Sequence, residues 1–346
     1  MSEWRRENGR GEISMRCKVK GILCLGLLVW TLYVSFQAQI NRGSLAGAGE
    51  KLWLKEEEGV LAGDVRRRKR ELPKEAAALE FIAWKEQEKA WLWNPQTGKS
   101  SQAELLYLCG SSRLLYPGAP VLDGEDRKGC LLGKKAAWEL FGSEIAGGLT
   151  LYLNETAYQV RGVLSEDSRR IVVEAGDEVM LDQITARIPA GQTRQMAEQT
   201  LQASYGISGT PLEFDLLCVL AGAGTAILWA CLGIAALLFL RRYETRIGIR
   251  RGWKRWVLTS GLVLLWGGFA VSQMAVPVEY LPSKWSDFDF FATLWQEKKE
   301  ALCYLLRAEK PGPQAGWCAL FIRTILFQAV GSLGWLMLGV LPGKGG

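Results

Sequence analysis

The side chains that most often do chemistry are scarce in this sequence. The chain of 346 residues contains no histidine. This removes the commonest general base, the commonest metal ligand and every Ser-His or Cys-His catalytic pair. The phosphate-binding pattern GxxxxGK(S/T) is absent as well. We therefore expect a protein that is not an enzyme, that holds no metal and that carries no cofactor.

Cysteine is the remaining reactive residue type, with eight copies in the chain. None of them forms a CxxC pair, and without histidine a zinc site is not expected. Cys109 and Cys130 flank one loop of a stretch that is assigned below to the outside of the membrane. Because an oxidising exterior permits disulfides, we predict a bridge between these two cysteines. Cys303 and Cys318 form an alternative pair.

A short acidic run is a candidate cation site. Asp123, Glu125 and Asp126 supply the oxygen ligands that Ca²⁺ and Mg²⁺ bind. The run ends the segment GAPVLDGED, residues 118–126, whose glycine, proline and aspartate are typical of a turn. We favour a solvated turn over a metal site.

Four apolar segments determine the layout of the chain. Each is about as long as the roughly 20 residues that cross a bilayer as a helix. They cover residues 20–40, 216–240, 256–276 and 317–341. This layout predicts an α-helical membrane protein with four transmembrane helices, in contact with the lipid bilayer. It also predicts an α+β domain, residues 41–215, inserted between spans one and two. A cleaved signal peptide is the alternative for the first segment.

Two of the predicted spans contain residue types that favour contact between helices. The second span is rich in small residues, among them Gly222, Gly224 and Gly233, which permit close approach of helices within lipid. The fourth span contains Arg323 and Gln328. Arg323 lies near the predicted outer end, so it either snorkels to the interface or makes a polar contact between spans.

The positive charges indicate the orientation of the spans. The net charge is +6, and much of the basic excess lies in residues 1–19 and in the short loop 241–255. Because cytoplasmic loops carry an excess of lysine and arginine, we place both termini, including residues 342–346, in the cytoplasm. The domain and the loop 277–316 then lie outside. This loop contains a predicted amphipathic helix over 292–307. The aromatic residues before it either enter the membrane interface or pack on the domain, namely Trp285, Phe288, Phe290 and Phe291. Positive charge beside membrane spans indicates the orientation of the spans and not the binding of nucleic acid. We therefore expect no nucleic-acid partner.

The polar domain shows a mixed pattern of short elements. Residues 50–58 and 73–93 are predicted to be helical, the latter because apolar side chains recur at spacings of three and four. Short strands follow, together with a helix over 134–141 and a hairpin that turns at Asn154 and Glu155. These elements predict an α+β fold.

One stretch of this domain resembles a known domain. Residues 118–164 read GAPVLDGEDRKGCLLGKKAAWELFGSEIAGGLTLYLNETAYQVRGVL. A helix closes on LFG at 140–142, and a hairpin then ends in VRGV at 160–163. This order is similar to the periplasmic core domain of MacB/FtsX-type ABC transporter permeases, and the resemblance extends over about residues 104–205. The motif residues are glycines and core side chains, so no catalytic residue is implied.

The resemblance implies a permease-like membrane subunit in a bacterial plasma membrane, whose spans pass motion from a cytoplasmic ATPase to the outer domain. The implied partners are an ABC-type ATPase and a second copy of the chain or a related permease subunit. The basic loop, with Arg246, Arg250 and Arg251, corresponds to the docking site for the ATPase. The alternative is a membrane-anchored sensor or structural protein that has lost ATPase coupling, because the loop is short for a coupling helix.

Overall fold

The computed structural model describes residues 2–340, apart from 73–78, 123, 125, 248–252, 275–279 and 281–288. The chain divides into two compact units. Residues 49–214 and 296–315 form one, called here the sheet unit. Residues 1–48, 215–295 and 316–346 form the other, called the apolar unit.

The helices and strands alternate in the first two thirds of the chain, and long helices fill the last third. The helices are α1 Ser2–Gly49, α2 Ala62–Glu71, α3 Lys134–Phe141, α4 Arg194–Thr200, α5 Phe214–Ile247, α6 Trp253–Ser272, α7 Phe290–Arg307 and α8 Gly312–Val340. The strands are β1 Lys51–Leu61, β2 Phe81–Trp93, β3 Ser100–Cys109, β4 Gly129–Leu132, β5 Thr150–Leu153, β6 Thr156–Val163, β7 Arg170–Glu174, β8 Met180–Arg187 and β9 Thr210–Pro211.

The strands form one sheet in the order β3-β7-β4-β6-β5-β2-β8-β1-β9, with an additional pairing of β3 with β2. This pairing closes six of the strands, β2 to β7, into a ring. Strand β2 makes the closure possible because it pairs with β3 along most of its length, with β8 near its start and with β5 at its end. Strands β8, β1 and β9 extend from the first part of β2.

Two hydrophobic clusters make up the core of the sheet unit. One combines buried residues of β1, β8 and the start of β2 with side chains of α2 and α4. The other draws buried side chains from all six ring strands and from α3. Tyr107 on β3 packs against both clusters.

The predicted helix over 134–141 and the predicted hairpin are confirmed. Helix α3 ends at Gly142, whose φ of 70° is the left-handed conformation that glycine adopts at a helix C-terminus. Strands β5 and β6 pair antiparallel across Asn154 and Glu155, both at positive φ, as tight hairpin turns require. Glycine is also required at Gly162 in the VRGV segment, because a Cβ there would overlap the ring of Pro120.

Two predicted helices of the sheet unit are wrong. Residues 51–61 form β1, and the described part of 73–93 forms β2, residues 81–93. In β2 an extra residue lies between Gln87 and Ala90, where the register with β3 shifts. A bulge of this kind interrupts the period of two, so the apolar side chains of β2 acquire helix-like spacings although the backbone is extended.

Within the described part of the chain, three helical segments are long and apolar enough to cross a membrane. They are Ile22–Gly49 in α1, Phe214–Arg241 in α5 and Gly312–Val340 in α8. The predicted third span falls on α6, which has 20 residues, and its described apolar part is Thr259–Ser272. The prediction of four spans is therefore supported for three segments. The predicted amphipathic helix 292–307 corresponds to α7.

Candidate functional site

The first residues of α8 lie in the sheet unit and are bound to its strands. The Gln314 side-chain amide donates a hydrogen bond to Gln183 Oε1 on β8 at 2.9 Å. Both side chains are buried, with 1% and 2% of the residue exposed. The backbone N–H of Gly312 donates to the carboxylate of Glu86 on β2. Two different strands thus hold the start of this helix.

Glu86 belongs to a cluster of charges around the buried Arg170, the first residue of β7. The Arg170 guanidinium contacts Glu86 at 3.1 Å, Glu104 at 2.8 Å and Glu166 at 3.0 Å. Only 5% of the Arg170 side chain is exposed. A Cβ at Gly312 would overlap this guanidinium. The glycine therefore permits the helix start to approach the cluster.

The electrostatics of this cluster favour the ion pairs. Burial lowers the pKa of Arg170, but the neighbouring Tyr116 hydroxyl and the three carboxylates raise it, and the net shift is upward. Burial is the largest cause that raises the pKa of Glu166, and Arg170 opposes it. Removing Arg170 leaves the largely buried Glu86 without its charge partner, at a cost of about 3–5 kcal/mol. Glu104 and Glu166 are half-exposed, so solvent screens their charges and the loss of either one costs less.

The start of α5 is held in the sheet unit as well. Phe214 is fully buried, and its ring centroid lies 5.4 Å from that of Trp53 on β1. Two residues earlier, the Leu212 N–H donates to the Trp53 carbonyl at 2.8 Å. The adjacent Glu213 pairs with Lys298 of α7 at 2.8 Å. Strand β1 begins at Lys51, two residues after the last residue of α1.

In the apolar unit, α5 and α8 share a polar contact. The Gln328 side-chain amide on α8 donates to the Ala221 carbonyl at 2.8 Å and to Thr225 Oγ1 at 2.9 Å. Gly224 lies beside this contact, and a Cβ there would overlap the Gln328 amide. The polar contact that the sequence suggested for Arg323 is thus made by Gln328. The Arg323 guanidinium lies 5.4 Å from the Phe327 ring centroid of its own helix.

The other small residues of α5 lie at further helix contacts. Gly233 is buried against the indole of Trp266 on α6, and the Trp266 Nε1–H donates to the Trp229 carbonyl at 2.6 Å. Gly222 is buried. On α1, the Ser35 hydroxyl accepts a hydrogen bond from Trp335 Nε1 of α8 at 3.2 Å.

The predicted docking residues lie at the end of α5 and beyond it. Helix α5 continues to Ile247, so Arg246 is helical and does not lie in an open loop. Arginine has a good helix propensity, which explains why the helix extends past the apolar segment. Arg250 and Arg251 fall outside the described residues.

The predicted disulfide between Cys109 and Cys130 is absent, and both are free, buried thiols. Cys109 lies on β3 and Cys130 on β4, and β7 lies between these strands. Strands two positions apart are separated by roughly 9 Å, beyond the about 7 Å between Cα atoms that a disulfide spans. Burial raises the pKa of Cys109 to about 11 and that of Cys130 to about 12. Cys303 is an exposed free thiol.

The acidic turn forms an ion pair. Asp126 accepts from Arg161 Nε at 2.7 Å, and this hydrogen bond is the main cause that lowers the Asp126 pKa. Asp123 and Glu125 fall outside the described residues. Within the described part of the chain, no group of three or more cysteine or carboxylate side chains is arranged to hold a metal ion.

The sequence alone did not indicate a role for four residues that hold the start of α8, namely Glu86, Arg170, Gln183 and Gln314. Arg170 directly precedes the apolar run Ile171–Val173, where a charged residue reads as the exposed edge of a strand. Its burial depends on carboxylates from β2 and β3, 84 and 66 residues away. No local pattern contains that information.

Comparison with known proteins gives structural likenesses. No family model matches the chain, and no curated protein matches it. The periplasmic region of MacB from Actinobacillus actinomycetemcomitans is similar with a TM-score of 0.38 and 15% identity, over 49% of this chain and 90% of that one. The extracellular domain of the noncanonic ABC-type transporter YknZ from Gram-positive bacteria gives 0.33 and 14%, over 47% and 96%. At these scores the likeness assigns no function.

Proposed function

We propose that this chain is a permease-like membrane subunit of a MacB/FtsX-type ABC transporter or mechanotransmission complex in a bacterial plasma membrane, without catalytic activity of its own. The observation that supports this most directly is the fixation of α5 and α8. Both helices begin at residues that are buried in the sheet unit, Phe214 and Gln314, and both are long enough to cross a bilayer.

Such fixation suits the transmission of motion. An α-helix is a stiff rod with a rise of about 1.5 Å per residue. If α8 shifts along its axis, the bonds of Gln314 to Gln183 and of Gly312 to Glu86 must move with it or break. Breaking them leaves buried polar groups unpaired, at roughly 1–3 kcal/mol for each. In this proposal the first turn of α8 and the strands that bind it move together.

The polar contact between α5 and α8 supports the same function. Gln328 ties the two helices together through Ala221 and Thr225, so a displacement of one helix is shared by the other. In this proposal a cytoplasmic ATPase docks near Arg246, Arg250 and Arg251. Both termini face the cytoplasm, the domain 41–215 faces outward, and the complex contains a second copy or a related permease subunit.

A membrane-anchored sensor that has lost ATPase coupling is the second candidate. One observation favours it. Helix α5 ends at Ile247 and α6 begins at Trp253, so five residues separate the two helices. This connection is short for a separate coupling helix, and in this candidate the sheet unit recognises a ligand without a motor.

Affinity purification from native membranes in mild detergent, followed by mass spectrometry, tests the two candidates. We expect an ABC-type ATPase at near-stoichiometric level, and we expect its loss after Arg246→Gln, Arg250→Gln and Arg251→Gln together. The control replaces three arginines of the basic N-terminal segment, Arg5, Arg6 and Arg10, by glutamine. Recovery of the intact protein without an ATPase, in conditions that preserve a known ABC complex, would support the sensor.

A further inference from the structure

An exposed aromatic cleft lies on the sheet unit, where β2 meets the β5–β6 hairpin. Trp91, Trp93 and Tyr152 line it together with Asn154 and Glu155 of the hairpin turn, and its volume is 410 Å³. This lies within the range of about 300–1,000 Å³ that small-molecule sites occupy. The two tryptophans are exposed to 62% and 47%, which is unusual for such large apolar side chains.

The bulge in β2 is the reason that both indoles face outward. On β3, Ala103, Leu105 and Tyr107 share the face that packs into the hydrophobic cluster of the ring, whereas Glu104 and Leu106 lie on the opposite face. Their partners on β2 are Ala90 after the bulge and Lys85 before it. The extra residue between Gln87 and Ala90 therefore moves the core-facing positions of β2 from odd to even numbers. Without it, Trp91 and Trp93 would point toward the core.

Three aromatic rings line the cleft side by side. Trp93 and Tyr152 are direct partners in the register of β2 and β5. Their ring centroids lie 5.5 Å apart, and their planes are inclined by 50°. Trp91 lies two residues from Trp93 on the same face of the strand, which adds a third aromatic surface. The arrangement is a concave group of three rings.

The charges of the cleft complement a cation. The described residues that line it include one carboxylate, Glu155, and one amide, Asn154, and among them is no lysine or arginine. Aromatic faces carry negative potential and attract cations, and tryptophan does so most strongly. The carboxylate lies at the turn that borders the three rings. A group of aromatic rings with an acidic side chain is the arrangement that recognises quaternary ammonium groups.

We propose that Trp91, Trp93, Tyr152 and Glu155 form a binding site for an organic cation of the quaternary ammonium class, such as a choline group. This site is independent of ATPase coupling, and the proposed function can fail without affecting it. Its ligand is a soluble quaternary ammonium compound or the choline headgroup of a lipid.

Saturation-transfer NMR on the full-length protein tests the proposal, with tetramethylammonium and choline as probes. The protein is kept in a polyoxyethylene detergent, which contains neither sugar nor ammonium. We expect saturable millimolar binding of both probes. The neutral isostere of choline, 3,3-dimethyl-1-butanol, is expected to bind at least about tenfold more weakly, because it lacks the charge on which the cation–π attraction depends.

Three variants locate the site. Trp93→Ala and Glu155→Gln should each weaken choline binding by about three- to tenfold. Trp138→Ala is the matched control, because Trp138 on α3 is 61% exposed and lies outside the cleft. Glu155→Gln removes one charge from an exposed turn, so its loss of binding is not a folding defect.

The outcomes separate the possibilities clearly. Three results would each overturn the proposal. They are equal binding of the neutral alcohol, an equal loss of choline binding in Trp138→Ala, and binding of the sugar cellobiose in place of choline. If choline binding is weaker in phosphatidylcholine nanodiscs than in phosphatidylglycerol nanodiscs, lipid headgroups occupy the site. Equal binding in the two kinds of nanodisc supports a soluble ligand.

Discussion

Gln314, in the first turn of α8, donates its side-chain amide to Gln183 on β8 at 2.9 Å, and both residues are almost completely buried. The two residues are 131 positions apart in the sequence. This hydrogen bond joins the first turn of α8 to strand β8 within the sheet unit. It is the contact on which the mechanical interpretation of the protein depends most directly.

Replacing either glutamine alone should destabilise the sheet unit. In Gln314→Leu or Gln183→Leu, the remaining amide loses its partner while it stays buried, at a cost of about 1–3 kcal/mol. The double variant should cost less than the sum of the single variants, because both buried amides are removed. Thermal unfolding in detergent measures the stability of the parent protein, the two single variants and the double variant. Strict additivity would show that the two side chains do not interact.

Gly312→Ala should be destabilising because the new methyl group occupies the position of the Arg170 guanidinium. Displacement of this arginine disturbs its contact with the largely buried Glu86, for which we expect a loss of about 1–3 kcal/mol. Gly316→Ala is the matched control on the same helix, where a Cβ would have no neighbour within 4 Å. Similar unfolding temperatures of the two variants would contradict the close approach of Gly312 to Arg170.

Gly224→Ala should weaken the contact between α5 and α8. The added methyl group displaces the Gln328 amide from its acceptors on α5. Interhelical hydrogen bonds in membranes contribute about 0.5–2 kcal/mol, which sets the expected loss in thermal stability. Gly267→Ala on α6 serves as the control, because its Cβ would contact nothing within 4 Å. The idea fails if both alanine variants have the stability of the parent protein.

The thiols of Cys109 and Cys130 should be free and unreactive in the folded protein. Their raised pKa values keep them protonated at neutral pH, and the thiolate is the reactive form. We expect maleimide to label the exposed Cys303 rapidly, and to label Cys109 and Cys130 after unfolding in the absence of reductant. Peptide mapping identifies the labelled residues. A peptide pair linked through Cys109 and Cys130 would contradict the strand order of the sheet.

The sequence by itself determined the elements that depend on local chemistry. Apolar segments of sufficient length identified the helices that carry Ile22–Gly49, Phe214–Arg241 and Gly312–Val340, since length and hydropathy are properties of a continuous stretch. Gly142 indicated where α3 ends. The residues Asn154 and Glu155 indicated the turn of the hairpin.

Only the tertiary structure decided the features that join distant residues. The bulge in β2 disguised a strand as a helix, and it turned Trp91 and Trp93 outward. The position of β7 between β3 and β4 kept Cys109 and Cys130 apart. The partners of Arg170 and of Gln314 lie on other strands, many residues away. A polar side chain reads as exposed in the sequence, because its burial depends on partners that the fold brings to it.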